Sequence, residues 1–387
     1  MNSIDAPTKP VRYPELDSLR GLAALIVVLH HLRIAWESDI ASESAILSAL
    51  LARFDPFGIE AVILFFVLSG FVLSLPAVNG RPQSYFTFVT RRVFRIYVPY
   101  VVALAASVAG AFWLHGPVTR SWWIHLSWTE PVSWRLVGQH LLFLGDYSTN
   151  EFDNPIWSLV HEMRISLVFP ILCGFVLRLK SGWSLLIAFG LSITSIVIQK
   201  WLPQIPSTVA ESIQYSAFFV LGIFLARERN RLGLWVSRLR GFIRLLIGVA
   251  ALWLFLFAGS QIADLLGHFS SHGLIIIYIS EGIAALGAAC LIIISLSLSS
   301  WKRVLFLPPI HFLGQVSYSL YLWHVIVILY VVHLFYGKLP LEAILCISFV
   351  LSMLVSWISY RLVEMPSMNL GRRLSNLRRL SRATATV

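Results

Sequence analysis

Ten apolar runs, most of them close to twenty residues long, leave this chain few folds to choose from. They lie near 19–36, 57–78, 93–114, 155–177, 183–199, 212–227, 242–258, 273–299, 310–335 and 340–363. A hydrocarbon core about 30 Å thick is crossed by about 20 residues of helix. The composition agrees: 57% of the residues are hydrophobic and 13% charged, against roughly 45–50% and about 25% in soluble domains. A mean hydropathy of +0.77 argues against a soluble enzyme, a disordered chain and a secreted disulfide scaffold. The expected fold is all-α, a polytopic transmembrane helical bundle of about ten spans. Lys9 and Arg12 precede the first run as in a signal peptide, but His30 and His31 interrupt it and no small-residue cleavage site follows closely. It reads as an uncleaved anchor. Cys173, Cys290 and Cys346 lie far apart in apolar runs, so they read as small buried residues.

In a soluble protein the net charge of +11 would suggest nucleic acid. In this chain it sets orientation instead. With a cytoplasmic N-terminus, cytoplasmic segments hold 23 of the 30 lysines and arginines, the opposite side holds six, and Arg164 lies inside a span. Every cytoplasmic segment contributes to that positive-inside asymmetry. Both termini are therefore expected in the cytoplasm, the membrane to be the cell inner membrane, and nucleic acid not to be a partner. The expected domains are a cytoplasmic segment over 1–15, a membrane unit over 16–366 and a basic cytoplasmic tail over 367–387, disordered on the anionic inner leaflet. The outer segment 115–154 carries Trp122, Trp123, Trp128 and Trp134, which read first as an interfacial belt and second as a surface that stacks on sugar rings.

An ionisable side chain at the centre of a span costs roughly 2.5–3.5 kcal/mol and calls for a reason. Arg20 and His31 are eleven residues apart. On a helix that is three turns plus about 20°, which puts both on one face about 16 Å apart. His30 is turned about 80° from that line. The pair suits a substrate with an anionic head at the rim and a reactive tip deep in the bundle; a snorkelling Arg20 and an interhelical hydrogen bond from His31 are the plainer alternative. In Phe65-Phe66-Val67-Leu68-Ser69-Gly70-Phe71, the small residues permit close helix approach. Arg91-Arg92-x-x-Arg95 offers guanidinium forks one turn apart, suited to phosphate. Glu162 and Arg164, two residues apart, cannot face each other, so each needs a partner elsewhere or a wet cavity. Tyr321 and His324 share a face in the ninth run. His161-Glu162 has Ile165 where a zinc protease needs its second histidine, and His268 and His272 lack a third ligand nearby, so no metal is expected.

Taken together, these segments resemble the acyltransferase 3 family of integral membrane enzymes that O-acylate sugars. Leu16-Asp17-Ser18-Leu19-Arg20-Gly21 running to His31 is similar to that family's first helix, with its Arg-x10-His spacing. The 65–71 stretch, Arg91-Arg92-x-x-Arg95, Trp157-Ser158-Leu159-x-x-Glu162 to Phe169-Pro170, and Ser317–His324 resemble further blocks in the same order. One departure is Ser166, where many members carry tyrosine. The resemblance implies an acyl-CoA donor, most often acetyl-CoA, on the cytoplasmic side. It also implies a glycan or lipid-linked saccharide acceptor, often presented on the far side.

The expected roles follow. Arg20, Arg91, Arg92 and Arg95 hold the coenzyme phosphates. His31, an imidazole that ordinarily titrates near 6.5, is the general base on the acceptor hydroxyl, an acyl-histidine being the less favoured route. Glu162 and Arg20 complete the catalytic set, and Tyr318, Tyr321 and His324 contact substrate. Any of Glu162, Arg164, Tyr318, Tyr321 and His324 could orient His31 or polarise the carbonyl. The alternative function is a transporter or flippase for a sugar or lipid-linked intermediate, which intramembrane ionisable residues would also serve. The sequence shows no matched pair of broken helices to support it.

Overall fold

The computed structural model describes residues 12–36, 57–119, 121–267 and 273–384; His268 and His272 lie outside them. Among the described residues the chain is helical and has no strand. In chain order the helices are α1 (Pro14–Ala35), α2 (Gly58–Val78), α3 (Tyr85–Leu114), α4 (Trp134–Leu142), α5 (Ile156–Arg178), α6 (Ser181–Trp201) and α7 (Ser207–Arg238). They continue with α8 (Gly241–Trp253), α9 (Gly259–Gly267), α10 (Gly273–Ser297), α11 (Ser299–Leu305), α12 (Pro308–Phe335), α13 (Leu341–Ser359) and α14 (Met365–Thr384). Ten helical rods among them are long and apolar enough to cross a membrane. A π-helical stretch joins α8 to α9, and another, Tyr360–Glu364, joins α13 to α14.

Several rods outrun the apolar runs that announce them. Helix α3 begins well before residue 93, because the Ser84 side chain accepts from the Thr87 N–H and caps it in polar surroundings. That start puts Arg91, Arg92 and Arg95 in helical register. Pro14, with Glu15 and Asp17 in the first turn, likewise favours the start of α1. The α6 span is 11% buried within the protein and the α8–α9 span 17%, so these helices turn side chains such as Phe189 and Leu245 to lipid.

Backbone contact between helices fixes the interior. A Cβ on Gly21 would fall on the Gly314 nitrogen, and one on Gly314 would lie 2.7 Å from Asp17 backbone atoms, so α1 and α12 touch main chain to main chain. Gly70 on α2 and Gly222 on α7 make a second crossing of the same kind, against Phe219 and Val67 respectively. Both α1 and α12 carry a histidine ten residues beyond the crossing, His31 and His324. At 1.5 Å per residue each lies about 15 Å along its helix from the glycine contact.

Three expectations change. The tail beyond Met365 is helix through Thr384 rather than disordered, since Gly371 packs on Phe94 of α3 and Ser367 donates to the Phe94 carbonyl. The four tryptophans do not form one belt. Trp122 and Trp134 are exposed, but Trp128 is buried against Gly110 with its indole N–H on the Ser107 hydroxyl, 3.0 Å away, and Trp123 is buried beside His31. The three cysteines are free thiols, and of these Cys346 is exposed rather than buried.

Replacing Gly21 by Leu forces a side chain into backbone, at a cost of about 1–3 kcal/mol or more. The detergent-solubilised variant is expected to melt several degrees below wild type, while Gly190→Leu on α6, with nothing within 4 Å of its Cβ position, is expected to melt with wild type. Equal melting of all three proteins contradicts the packing account.

Candidate active site

His31 and His324 meet in the interior. His324 Nε2 lies 3.0 Å from His31 Nδ1; His324 Nδ1 is 3.0 Å from the Leu320 carbonyl and His31 Nδ1 is 2.9 Å from the Val27 carbonyl. A carbonyl only accepts, so His324 Nδ1 carries its proton. In the neutral pair His324 Nε2 is then a lone pair. His31 Nδ1 faces two acceptors and carries a proton too, and the network thereby leaves His31 Nε2 unprotonated. Trp123 lies 5.1 Å from the His31 ring, and Asn154, held by its own Nδ2 bond to Asn150 at 2.6 Å, is in polar contact with it. The His30 ring instead abuts Gly58.

A cavity of about 640 Å³ opens among α1, α2, α3, α5, α12 and α14. Six arginines (Arg12, Arg20, Arg91, Arg92, Arg95 and Arg372) and two carboxylates (Asp17 and Glu162) line it, an excess of four positive charges. Deeper, it is lined by Val62, Phe65, Phe66 and Leu159, and it reaches Ser158 and Tyr321. The Tyr321 hydroxyl lies 2.6 Å from Ser158 Oγ and donates to the Pro155 carbonyl at 3.1 Å. His31 and His324 do not line the cavity. They stand behind Tyr321, whose ring centroid is 6.0 Å from that of His324.

The arginines expected to act as a set are divided. Arg92 is buried, with Nη2 2.6 Å from Glu162 Oε1 and Nε donating to Ser166 Oγ at 3.0 Å. Ser69 also donates to Glu162, at 3.1 Å. Ser166 is thus an acceptor for Arg92. Arg91 reaches α14, bonding Ser375 at 3.1 Å and Asn376 at 3.3 Å. Arg95 contacts the Met368 sulfur at 3.4 Å and has no carboxylate within ion-pair distance among the described residues. Arg20 is 3.7 Å from Asp17, which is held more closely by Arg12 at 2.8 Å.

A profile of the acyltransferase domain family matches residues 13–361. The chain belongs to the acyltransferase 3 family. It is 23% identical over 326 residues to the peptidoglycan O-acetyltransferase OatA of Listeria monocytogenes, covering 80% of this chain and 48% of that protein. A putative O-acetyltransferase of Staphylococcus aureus is 24% identical over 404 residues, covering 96% of this chain and 60% of the relative. The O-acetyltransferase OatA of Staphylococcus aureus is 23% identical over 390 residues, covering 92% and 57%. The chain therefore spans about half to three-fifths of the length of these relatives. No solved structure matches it.

Other candidates in this chain lie apart from the histidines. Arg164 donates to the Leu144, Gly145 and Thr208 carbonyls, so it ties the loop after α4 to α7 rather than orienting His31. Tyr318 lines the cavity but gives its hydroxyl to the Ile96 carbonyl at 2.7 Å. Of the side chains considered as partners of His31, His324 is the one in contact with it. Sequence reasoning missed Ser158, Asn154, Arg12 and Arg372 as site residues and named Trp123 only within the tryptophan group, as belt or sugar-stacking surface; Ser158 stood within a quoted motif, and Asn154, Arg12 and Arg372 carried no signal beyond composition. Among the described residues no cluster has the makings of a metal site.

Removing one partner from the buried Arg92–Glu162 pair leaves an uncompensated charge, worth about 3–5 kcal/mol. Arg92→Met is therefore expected to melt well below wild type, and Arg92→Met with Glu162→Gln to recover most of the loss. A double variant no more stable than the single one contradicts this pairing.

Proposed function

We propose that this acyltransferase is a membrane O-acetyltransferase that takes acetyl from cytoplasmic acetyl-CoA and delivers it to a hydroxyl of a glycan or lipid-linked saccharide at the opposite face. One observation carries the reading: a cavity with four excess positive charges is also lined by apolar Val62, Phe65 and Leu159 and reaches Tyr321, whose ring stands 6.0 Å from that of His324. The nucleotide end of a coenzyme A bears roughly three and a half to four negative charges, a phosphomonoester and a diphosphate. Val62, Phe65 and Leu159 offer its pantetheine arm an apolar wall. Arg20 and Arg95 hold the diphosphate in this reading, with Arg91 beside them. Arg92 and Glu162 act as a pair that fixes α3 against α5, so Arg92 positions the wall and Glu162 supplies no proton.

His31 Nε2 takes the proton of the acceptor hydroxyl as its oxygen attacks the thioester carbonyl. The C–S bond breaks, an ester C–O bond forms, and the proton passes from His31 to the departing thiolate. His324 Nε2 accepts from His31 Nδ1 throughout, holding the ring in one tautomer and stabilising the imidazolium. Transfer requires the Tyr321 ring to leave the line between the cavity floor and the histidines. Trp123 and Asn154 line the His31 side away from the cavity, where the acceptor arrives. Arginines unpaired with carboxylates at a cavity mouth favour a polyanionic donor over a neutral sugar cargo. That preference weighs against a transporter.

Membranes supplied with radiolabelled acetyl-CoA are expected to place label in the glycan fraction. His31→Ala should lower that transfer by roughly 10²–10⁴-fold with the protein still in the membrane and its affinity for CoA unchanged. Near-normal transfer by His31→Ala overturns the assignment of the base, and glycan transport without covalent labelling overturns the function.

A further inference from the structure

The family match ends at residue 361, yet the helix that follows it walls the donor cavity. A π-turn over Tyr360–Glu364 redirects the register after α13, and Ser319 anchors it by donating to Glu364 at 2.7 Å. Beyond the turn, Ser367, Met368, Gly371 and Ser375 recur at spacings of one, three and four, which is one face of a helix. All four contact α3: Ser367 and Gly371 at Phe94, Met368 at Arg95 and Ser375 at Arg91. The same docking carries Asn369 and Arg372 to the cavity mouth. Arg372 is exposed there; its carbonyl accepts from Ser375 at 2.9 Å, and its guanidinium has no carboxylate or hydrogen-bond partner among the described residues.

From this geometry we propose that α14 is part of the donor site and that Arg372 reads the 3′-phosphate of coenzyme A. The inference rests on the acyl-CoA reading given above. Depth orders the contacts. Arg92 is buried, Arg20 and Arg95 are half-buried, and Arg12 and Arg372 are exposed at the rim. In coenzyme A the thioester, the diphosphate and the 3′-phosphoadenosine follow one another along the molecule. With the thioester at Tyr321, the diphosphate falls to the half-buried arginines and the monoester phosphate to the rim. Arg12 is already paired with Asp17 at 2.8 Å, which leaves Arg372 as the rim cation with its donors unengaged. A guanidinium presents a fork matched to phosphate oxygens.

The test uses full-length protein in detergent at low ionic strength and two probes, CoA and 3′-dephospho-CoA, with affinities read by calorimetry. Wild type is expected to bind CoA about tenfold more tightly than 3′-dephospho-CoA. Arg372→Ala should weaken CoA by about tenfold and leave 3′-dephospho-CoA unchanged, so that the two probes become equal. Arg373→Ala, on the same helix but outside the cavity lining, should bind both probes as wild type does. Loss of affinity for both probes alike in Arg372→Ala, or no loss at all, overturns the assignment of the 3′-phosphate to Arg372 while leaving the donor reading in place. Failure of wild type to bind either probe overturns the donor reading itself and this inference with it.

Discussion

With no side chain at Gly21 or Gly314, the backbones of α1 and α12 come into contact, and that contact sets the position of everything above it. Each helix climbs ten residues from the crossing and presents a histidine. Because the two rises are equal and the two helices run the same way from the crossing, the rings arrive at one level and bond at 3.0 Å. Carbonyls at Val27 and Leu320, one turn below, then fix which ring nitrogens carry protons. A side chain at either glycine would part the helices and with them the pair. The chemistry proposed for His31 therefore depends on an absence of atoms some 15 Å away.

Charge organises the other end. Six guanidinia around one cavity repel each other and are tolerated in part because two of them are neutralised locally, Arg92 by Glu162 and Arg12 by Asp17. The excess that is left is the binding energy offered to an anion. Structural and ligand-directed arginines are thus neighbours on one helix. In α3, Arg92 is buried in an ion pair while Arg95, one turn on, faces the cavity with no carboxylate in ion-pair distance among the described residues.

The spans were legible because apolar length is a direct requirement of the bilayer, and the Arg20–His31 alignment because a helix has a fixed pitch. Local patterns could go no further. The partner of His31 lies 293 residues away, and only tertiary packing selects His324 from among five polar candidates. Trp123 and Trp128 have the composition of a membrane belt, and what buries them is a loop fold with no periodic signature. The tail has a similar ambiguity. Its arginines and polar residues read as disordered, and the small-residue stripe that docks it becomes visible only once the α3 surface it fits is known.

The most direct test of the central claim is a cryo-electron microscopy structure of the protein with acetyl-CoA bound. The account predicts phosphates on Arg20, Arg95 and Arg372, the pantetheine arm against Phe65, and Tyr321 displaced so that the acetyl carbonyl stands within reach of His31. Density for the coenzyme outside this cavity, or a thioester directed away from the two histidines, would contradict it.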